Sequence, residues 1–150
     1  MIVDEKSKTA TVQFLQTLLP EQINRILYNS LDYFMRLLAN KVKGKLSGPV
    51  LKVQTGRLRS SIITDIIPQP PKLIGKIGTN VVYATIHEYG GIIRAKNKPY
   101  LQFKTPTGWV SVKEVHMPER SYLRSSLDEE FPKLPDIIRL QLRKALQVNA

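Results

Sequence analysis

The chain has 150 residues, no cysteine, and 23 Lys plus Arg against 12 Asp plus Glu, which gives a formal net charge of +11. This length is typical of one domain with its own hydrophobic core, and the absence of cysteine excludes disulfide bonds and thiolate metal sites. Apolar runs are far shorter than the roughly 20 residues of a membrane helix, and no signal-peptide pattern occurs, so we expect a soluble protein without a membrane partner.

The positive charge is concentrated in the middle of the chain. Residues 51–126 carry twelve bases and four acids, whereas residues 127–150 carry four of each. Such a surface suits an acidic partner, which would be a nucleic acid, an anionic protein face or a membrane surface. The alternative is a solvated basic surface with no specific partner.

The first third of the chain predicts one long amphipathic helix. Between Pro20 and Lys45, apolar side chains recur at intervals of three and four residues, which is the period of a helix with one buried face. Pro20 suits a first helical turn, and Gly48 and Pro49 end the pattern. A shorter apolar stripe precedes Pro20, so residues 1–19 are predicted to form an N-terminal arm or short helix.

The middle of the chain predicts a small, mostly antiparallel β-sheet. Segments rich in β-branched residues, divided by turn residues, predict strands at residues 61–67, 73–78, 100–103 and 109–115. Prolines at 68, 70 and 71 separate the first pair, and residues 105–108 predict a hairpin turn. A short helix is predicted over residues 81–89, ended by Gly90 and Gly91, and a basic loop over residues 92–99.

The remaining residues predict helices over 118–130 and 135–147, so that residues 128–150 supply a C-terminal helix. The fold class is therefore α+β. A long N-terminal amphipathic helix packs on a small antiparallel sheet, and residues 1–150 form a single domain.

No pattern in the sequence indicates catalysis or a cofactor. His87 and His116 are the only histidines, and no second His stands at metal-ligand spacing from either. Glycine-rich phosphate loops and nucleophile-elbow serines are also missing. We therefore expect no enzyme, no metal and no cofactor.

Three short stretches carry a family resemblance when taken together and in order. They are Thr55-Gly-Arg-Leu-Arg-Ser-Ser-Ile62, Ile77-Gly-Thr-Asn-Val-Val-Tyr-Ala-Thr-Ile-His-Glu-Tyr-Gly-Gly91 and Pro118-Glu-Arg-Ser-Tyr-Leu-Arg-Ser-Ser-Leu127. We call them motifs 1, 2 and 3. With the helix that precedes them, they resemble the tail-completion and head–tail joining proteins of tailed bacteriophages, the group that includes minor tail protein Z. The resemblance runs from about residue 20 to residue 127.

The resemblance implies a non-enzymatic virion protein, made in the host cytoplasm, that acts at the neck between tail and head. Its expected partners are tail-tube, tail-terminator or head-connector proteins, and it would assemble as a homo-oligomeric ring, with contact to passing DNA. The runner-up function is sequence-independent nucleic-acid binding, suggested by the charge of residues 51–126. The third hypothesis is an enzyme such as a small nuclease, since the sequence shows no recognisable cluster of carboxylates with His.

The resemblance also assigns roles to residues. Motif 1 predicts a turn, permitted by Gly56, that launches a strand. In motif 2, Glu88 is expected to pair with a base such as Arg57 or Arg120, or to remain a solvated surface acid. In motif 3, Arg120 and Arg124 are expected one helical turn apart on one face.

Motif 3 departs from the group at Glu119, Ser121 and Ser126, where small residues or proline are typical. Replacing Tyr122 or Leu123 by Ala is expected to block assembly more than folding. The full set of interaction candidates is Arg57, Arg59, Glu88, Arg94, Lys96, Lys98, Arg120, Tyr122, Leu123 and Arg124.

Overall fold

The computed structural model describes residues 20–48 and 56–148, with side chains up to residue 145. The predicted N-terminal arm at residues 1–19 and Thr55 of motif 1 lie outside these ranges. The first described element, helix α1, spans Pro20–Lys45, as the apolar period predicts. Its buried face carries Ile26, Ser30, Phe34, Met35, Leu38 and Val42.

Motif 1 forms the predicted turn at Gly56, but a one-turn helix separates that turn from the strand. Gly56 has φ +67°, the left-handed conformation that glycine adopts without steric cost, and helix α2 follows at once over Arg57–Ser60. The strand begins only after this turn. Ile62, at the end of motif 1, is buried in the core, and Leu58 packs against it.

Strands β1 (Ile63–Gln69) and β2 (Lys72–Gly78) form an antiparallel hairpin, in register from Ile63↔Gly78 to Gln69↔Lys72. Strand β1 begins and ends two residues later than predicted, β2 begins one residue earlier, and Pro68 lies within β1. A proline is tolerated there because a two-stranded sheet leaves one backbone edge unpaired. The hairpin packs against α1, and a Cβ built on Gly75 would lie 2.7 Å from the sulfur of Met35, so only glycine permits this close approach.

The next elements are helix α3 and four short strands. Their bounds are α3 Ala84–Tyr89, β3 Gly91–Arg94, β4 Leu101–Thr105, β5 Gly108–Val112 and β6 Glu114–Met117. Strand β3 pairs with β6, and β4 pairs with β5 through the turn predicted at residues 105–108. The described residues thus hold three two-stranded antiparallel sheets in place of the one small sheet expected.

Two predictions are wrong in this region. The strand predicted over residues 109–115 bends at Lys113 and divides, because Val112 pairs with β4 whereas Val115 pairs with Ile93 of β3. The predicted basic loop begins only after Arg94, because the β-branched Ile92 and Ile93 continue the backbone as a strand.

The chain ends in helix α4 (Arg124–Glu130), a 3₁₀ turn (Phe131–Lys133) and helix α5 (Leu134–Val148), which packs on α1. Helix α4 begins six residues later than predicted, since Ser121 has φ +38° and interrupts any helix from residue 118. The core consists of Phe34, Met35, Leu38, Val42, Leu46, Ile62, Tyr122 and Ile137. The α+β class is confirmed. Within residues 20–48 and 56–148, no helix is long and apolar enough to span a membrane.

Residues 91–117, which we call the β lobe, stand apart from this core. None of them is buried, and their strands pair only within the lobe. Two-stranded sheets have little stability of their own, so contacts of the lobe with other surfaces have a large effect on its order.

Candidate assembly interface

Motifs 2 and 3 meet at the carboxylate of Glu88. This side chain is 4% exposed, and its two oxygens accept hydrogen bonds from the backbone N–H groups of Leu123 and Arg124, each at 2.8 Å. A buried carboxylate is costly unless it accepts such bonds, and here it satisfies two amides at the start of α4. Glu88 is therefore neither the solvated surface acid nor the side-chain ion-pair partner that its sequence suggested.

Backbone bonds extend the same contact. The N–H of Arg120 donates to the carbonyl oxygen of His87, and the N–H of Ser121 donates to that of Glu88, both at 3.1 Å. Gly90 has φ +69°, and a Cβ built on it would lie 2.7 Å from the Glu119 nitrogen. We call this contact between α3 with Gly90 and residues 118–124 the motif junction.

The serines of motif 3 hold the turn that leads out of the junction. The hydroxyl of Ser125 donates to the carbonyl oxygen of Ser121, and that of Ser126 donates to the Tyr122 carbonyl oxygen at 2.6 Å. Ser126 is fully buried. The serines at 121 and 126, where the resembling group has other small residues or proline, thus belong to a hydrogen-bonded turn with a left-handed residue at its start.

Tyr122 is a core residue and not a surface contact. It is 2% exposed and packs in the main cluster with residues of α1 and α5. Burial, together with the nearby charge of Glu88 and the phenol of Tyr89, raises the pKa of Tyr122 to about 12. Because Tyr122 is a core residue, Tyr122→Ala is expected to affect folding as well as assembly. Leu123 is half-buried and packs against the same cluster.

The two motif 3 arginines do not share a helix face. Arg120 lies in the loop before α4 and Arg124 is the first residue of that helix. The Arg124 guanidinium forms an ion pair with Glu119 and lies 5.5 Å from the centre of the Tyr89 ring, where a cation–π contact is favourable. Glu119, a departure from the family pattern, therefore neutralises part of the charge of Arg124.

His87 is partly buried beside Tyr83. Its Nδ1 is buried without a hydrogen-bond partner in the described residues, and its ring meets Tyr83 edge-on at 5.9 Å. Burial, followed by the charge of Arg120, lowers the pKa of His87, so the ring is neutral at physiological pH. Residues 20–48 and 56–148 contain no cluster of three or more His, Asp or Glu side chains that could hold a metal ion.

The other basic candidates are distributed over separate elements. Arg57 and Arg59 are exposed on α2. Arg94 on β3 forms an ion pair with Glu114 at 3.1 Å, and its hydrogen bond, with a second one from His116, lowers the pKa of Glu114. Lys96 and Lys98 are exposed in the loop between β3 and β4, and neither has an ion-pair partner among the described residues.

Several exposed apolar residues were missed as contact candidates. Val82 before α3 is 94% exposed and Tyr89 at its end is 61% exposed, although both belong to motif 2. In the β lobe, Trp109 is 77% exposed. A periodic pattern identifies residues that can be buried, but it does not reveal which of them remain uncovered, because that depends on how far the sheets lie from the core.

The family of the chain follows from the match of a protein-family model. The model of the phage virion morphogenesis family matches residues 33–142, which is 110 of the 150 residues. The chain belongs to the phage virion morphogenesis family. All three motifs, from Gly56 onward, lie inside the matched range. A search of curated proteins found no match, and neither did a search of solved structures.

Membership in this family establishes a role in building a phage particle, together with other virion components. The motif junction is a structural contact, because its hydrogen bonds connect α3 to residues 120–124.

Proposed function

We propose that this protein completes the tail and joins it to the head at the neck of the particle, without catalysis. The observation that carries the proposal is the motif junction, in which two segments that resemble tail-completion proteins are joined by Glu88. The buried members of the motifs maintain the architecture. Their exposed neighbours, such as Val82 and Tyr89, are then available for partner proteins.

The proposed partners are tail-tube, tail-terminator or head-connector proteins with an acidic contact surface. The formal charge of +11 favours such partners and disfavours neutral or basic ones. Arg57 and Arg59 supply two exposed positive charges on α2, and the half-buried Arg120 lies in the motif junction.

We further propose a closed ring of copies around the tail axis. A head-to-tail contact repeated by rotation generates either a ring or an open filament, and only a ring is compatible with a joint of fixed size. Val82, Tyr89 and the β lobe supply exposed apolar surface for contacts between copies.

The experiment is complementation of a phage whose copy of this gene is disrupted. Without the protein, we expect DNA-filled heads and separate tails, counted by electron microscopy, and the wild-type chain should restore joined particles. The test variant is Arg57→Glu with Arg59→Glu. The matched control is Arg25→Glu with Lys144→Glu, which changes the charge equally at exposed positions outside the family match.

The proposal predicts that the control variant restores joining, whereas the α2 variant yields at least tenfold fewer joined particles. Raising the magnesium or salt concentration should reduce this deficit, because it screens the reversed charges. Normal joining in the disrupted phage would refute the proposed function. Equal rescue by both variants would refute only the role of α2.

A further inference from the structure

The hairpin of β4 and β5 has one face that the fold does not use. In its register Lys104 lies opposite Trp109 and Gln102 lies opposite Ser111, so these four side chains project from the same face. All four are exposed, and Trp109 is 77% exposed. We call them the Trp109 face.

The opposite face of the hairpin is the apolar one. It carries Leu101, Phe103, Val110 and Val112. Three of these are half-buried and Phe103 is 40% exposed. The hairpin therefore already has an inner face, and Trp109 is the exception on the outer one. An indole ring that is 77% exposed contributes little to packing within the fold, and tryptophan is enriched at binding interfaces.

The β lobe that carries this face has a net positive charge. Residues 91–117 contain five Lys or Arg and one acid, a net charge of +4, and the one acid, Glu114, is paired with Arg94. Lys96, Lys98, Lys104 and Lys113 have no ion-pair partner within residues 20–48 and 56–148. Tyr100, 46% exposed, directly precedes β4.

We infer that the Trp109 face binds single-stranded nucleic acid, with lysines along the phosphate backbone and a base stacked on the indole ring. Cations interleaved with exposed aromatic rings are the chemistry of sequence-independent single-strand binding. An acidic protein surface would satisfy the same lysines, but the Trp109 face has no aliphatic side chain, which protein interface cores usually contain. This inference does not rest on the proposed neck location.

The test uses Trp109 itself as the reporter, because it is the only tryptophan of the chain. The full-length protein is titrated with an oligothymidine of about 20 nucleotides, long enough for one such site. We expect saturable quenching of the tryptophan fluorescence, since a stacked base quenches the indole directly, and an affinity that falls as the salt concentration rises.

Variants separate stacking from charge, with affinity measured by the anisotropy of a labelled oligonucleotide. Trp109→Ala should weaken binding about tenfold, the usual effect of losing one stacked base. Tyr28→Ala, which removes an exposed ring from α1, is the matched control and should have no effect. Lys96→Gln with Lys98→Gln should reduce the slope of log affinity against log salt by about 1.4, from about 0.7 for each charge.

Two competitors distinguish the possible partners. If polyglutamate displaces the oligonucleotide at equal charge concentration, the surface recognises an acidic protein and the inference is overturned. If a duplex of the same length binds as tightly without quenching the Trp109 fluorescence, the protein recognises only the charge of the phosphate backbone. That result would refute base stacking. Absence of binding at low salt overturns the inference outright. Circular dichroism of each variant confirms that the fold is retained.

Discussion

Glu88 accepts a hydrogen bond at 2.8 Å from the backbone N–H of Leu123, a residue 35 positions later in the chain. Its second oxygen accepts from the next amide, that of Arg124. One side chain thereby connects the short helix α3 to the start of α4. The two hydrogen bonds explain how a carboxylate can be buried at this position.

Removal of this carboxylate should destabilise the protein. Glu88→Ala leaves two buried amides without an acceptor, and we expect the free energy of unfolding to fall by about 3 kcal/mol. Glu88→Gln keeps one acceptor oxygen and should cost about half as much. Urea denaturation measures both. Glu21→Ala, at an exposed position of α1, is the control and should change stability by less than about 0.5 kcal/mol.

The backbone of Gly90 should tolerate no side chain. Its φ of +69° with ψ of −170° is accessible almost only to glycine, and an added Cβ would meet backbone atoms of Glu119 and Met117. Gly90→Ala should therefore cost about 3 kcal/mol. Gly44→Ala is the matched control, since Gly44 lies in α1 with open space around it. This substitution should raise the free energy of unfolding by about 0.5–1 kcal/mol. Equal effects at the two sites would contradict the described geometry of Gly90.

The link between α1 and α4 should give a pH-dependent stability. Glu129 forms ion pairs with Lys41 at 2.8 Å and Lys45 at 2.6 Å, and their hydrogen bonds lower its pKa to about 2 from 4.5. The hydrogen bond with Glu129 also raises the pKa of Lys41 above its usual value of 10.5. The lowered pKa of Glu129 stabilises the folded state fully above pH 4.5, and the raised pKa of Lys41 stabilises it fully below pH 10.5. The ion pair therefore makes its full contribution to stability only between these two pH values.

Thermal melting of the wild type and Glu129→Gln tests this window. The wild type should melt higher at neutral pH, and the difference should shrink as the pH falls from 4.5 towards 2. High salt should also reduce it, because the Glu129 and Lys41 side chains are partly exposed and their attraction is screened. Asp128→Asn changes the neighbouring acid, which has no ion pair among the described residues, and should show no such pH dependence.

Tyr122 should behave as a core residue in stability measurements. Tyr122→Ala removes a buried ring and should lower the free energy of unfolding by about 4 kcal/mol, whereas Tyr122→Phe keeps the ring and should cost less than about 1 kcal/mol. Differential scanning calorimetry compares the two. A stable Tyr122→Ala protein that fails only in assembly would restore the view of this residue as a surface contact.

The long helix α1 was predictable from the sequence because its apolar period is strong, and the turns were predictable where glycine is required, as at Gly56 and Gly90. The pairing of β3 with β6 was not predictable. Residues 109–115 alternate like one strand, yet Val112 and Val115 pair with different partners, and only long-range geometry decides this. The hydrogen-bond partners of Glu88 could not be predicted either. They are backbone amides, which nearly every residue has, so residue type does not identify them.

The same limit explains the candidate interface. Residue type marks Tyr122 and Trp109 equally as aromatic anchors, but the fold buries the first and leaves the second 77% exposed. Arginine spacing in motif 3 indicated a helix face, whereas the left-handed Ser121 places Arg120 in a loop. The exposure of each residue depends on the three-dimensional packing. It therefore changes the set of candidate contact residues more than residue type does.

The proposed joining role at the neck is tested most directly by counting copies of the protein. Quantitative mass spectrometry is applied to purified complete particles, separated tails and unjoined heads of the phage that encodes the chain. The account predicts a small, fixed number of copies in each complete particle and none in unjoined heads. Absence of the protein from complete particles, or its presence in unjoined heads at the same copy number, would contradict it.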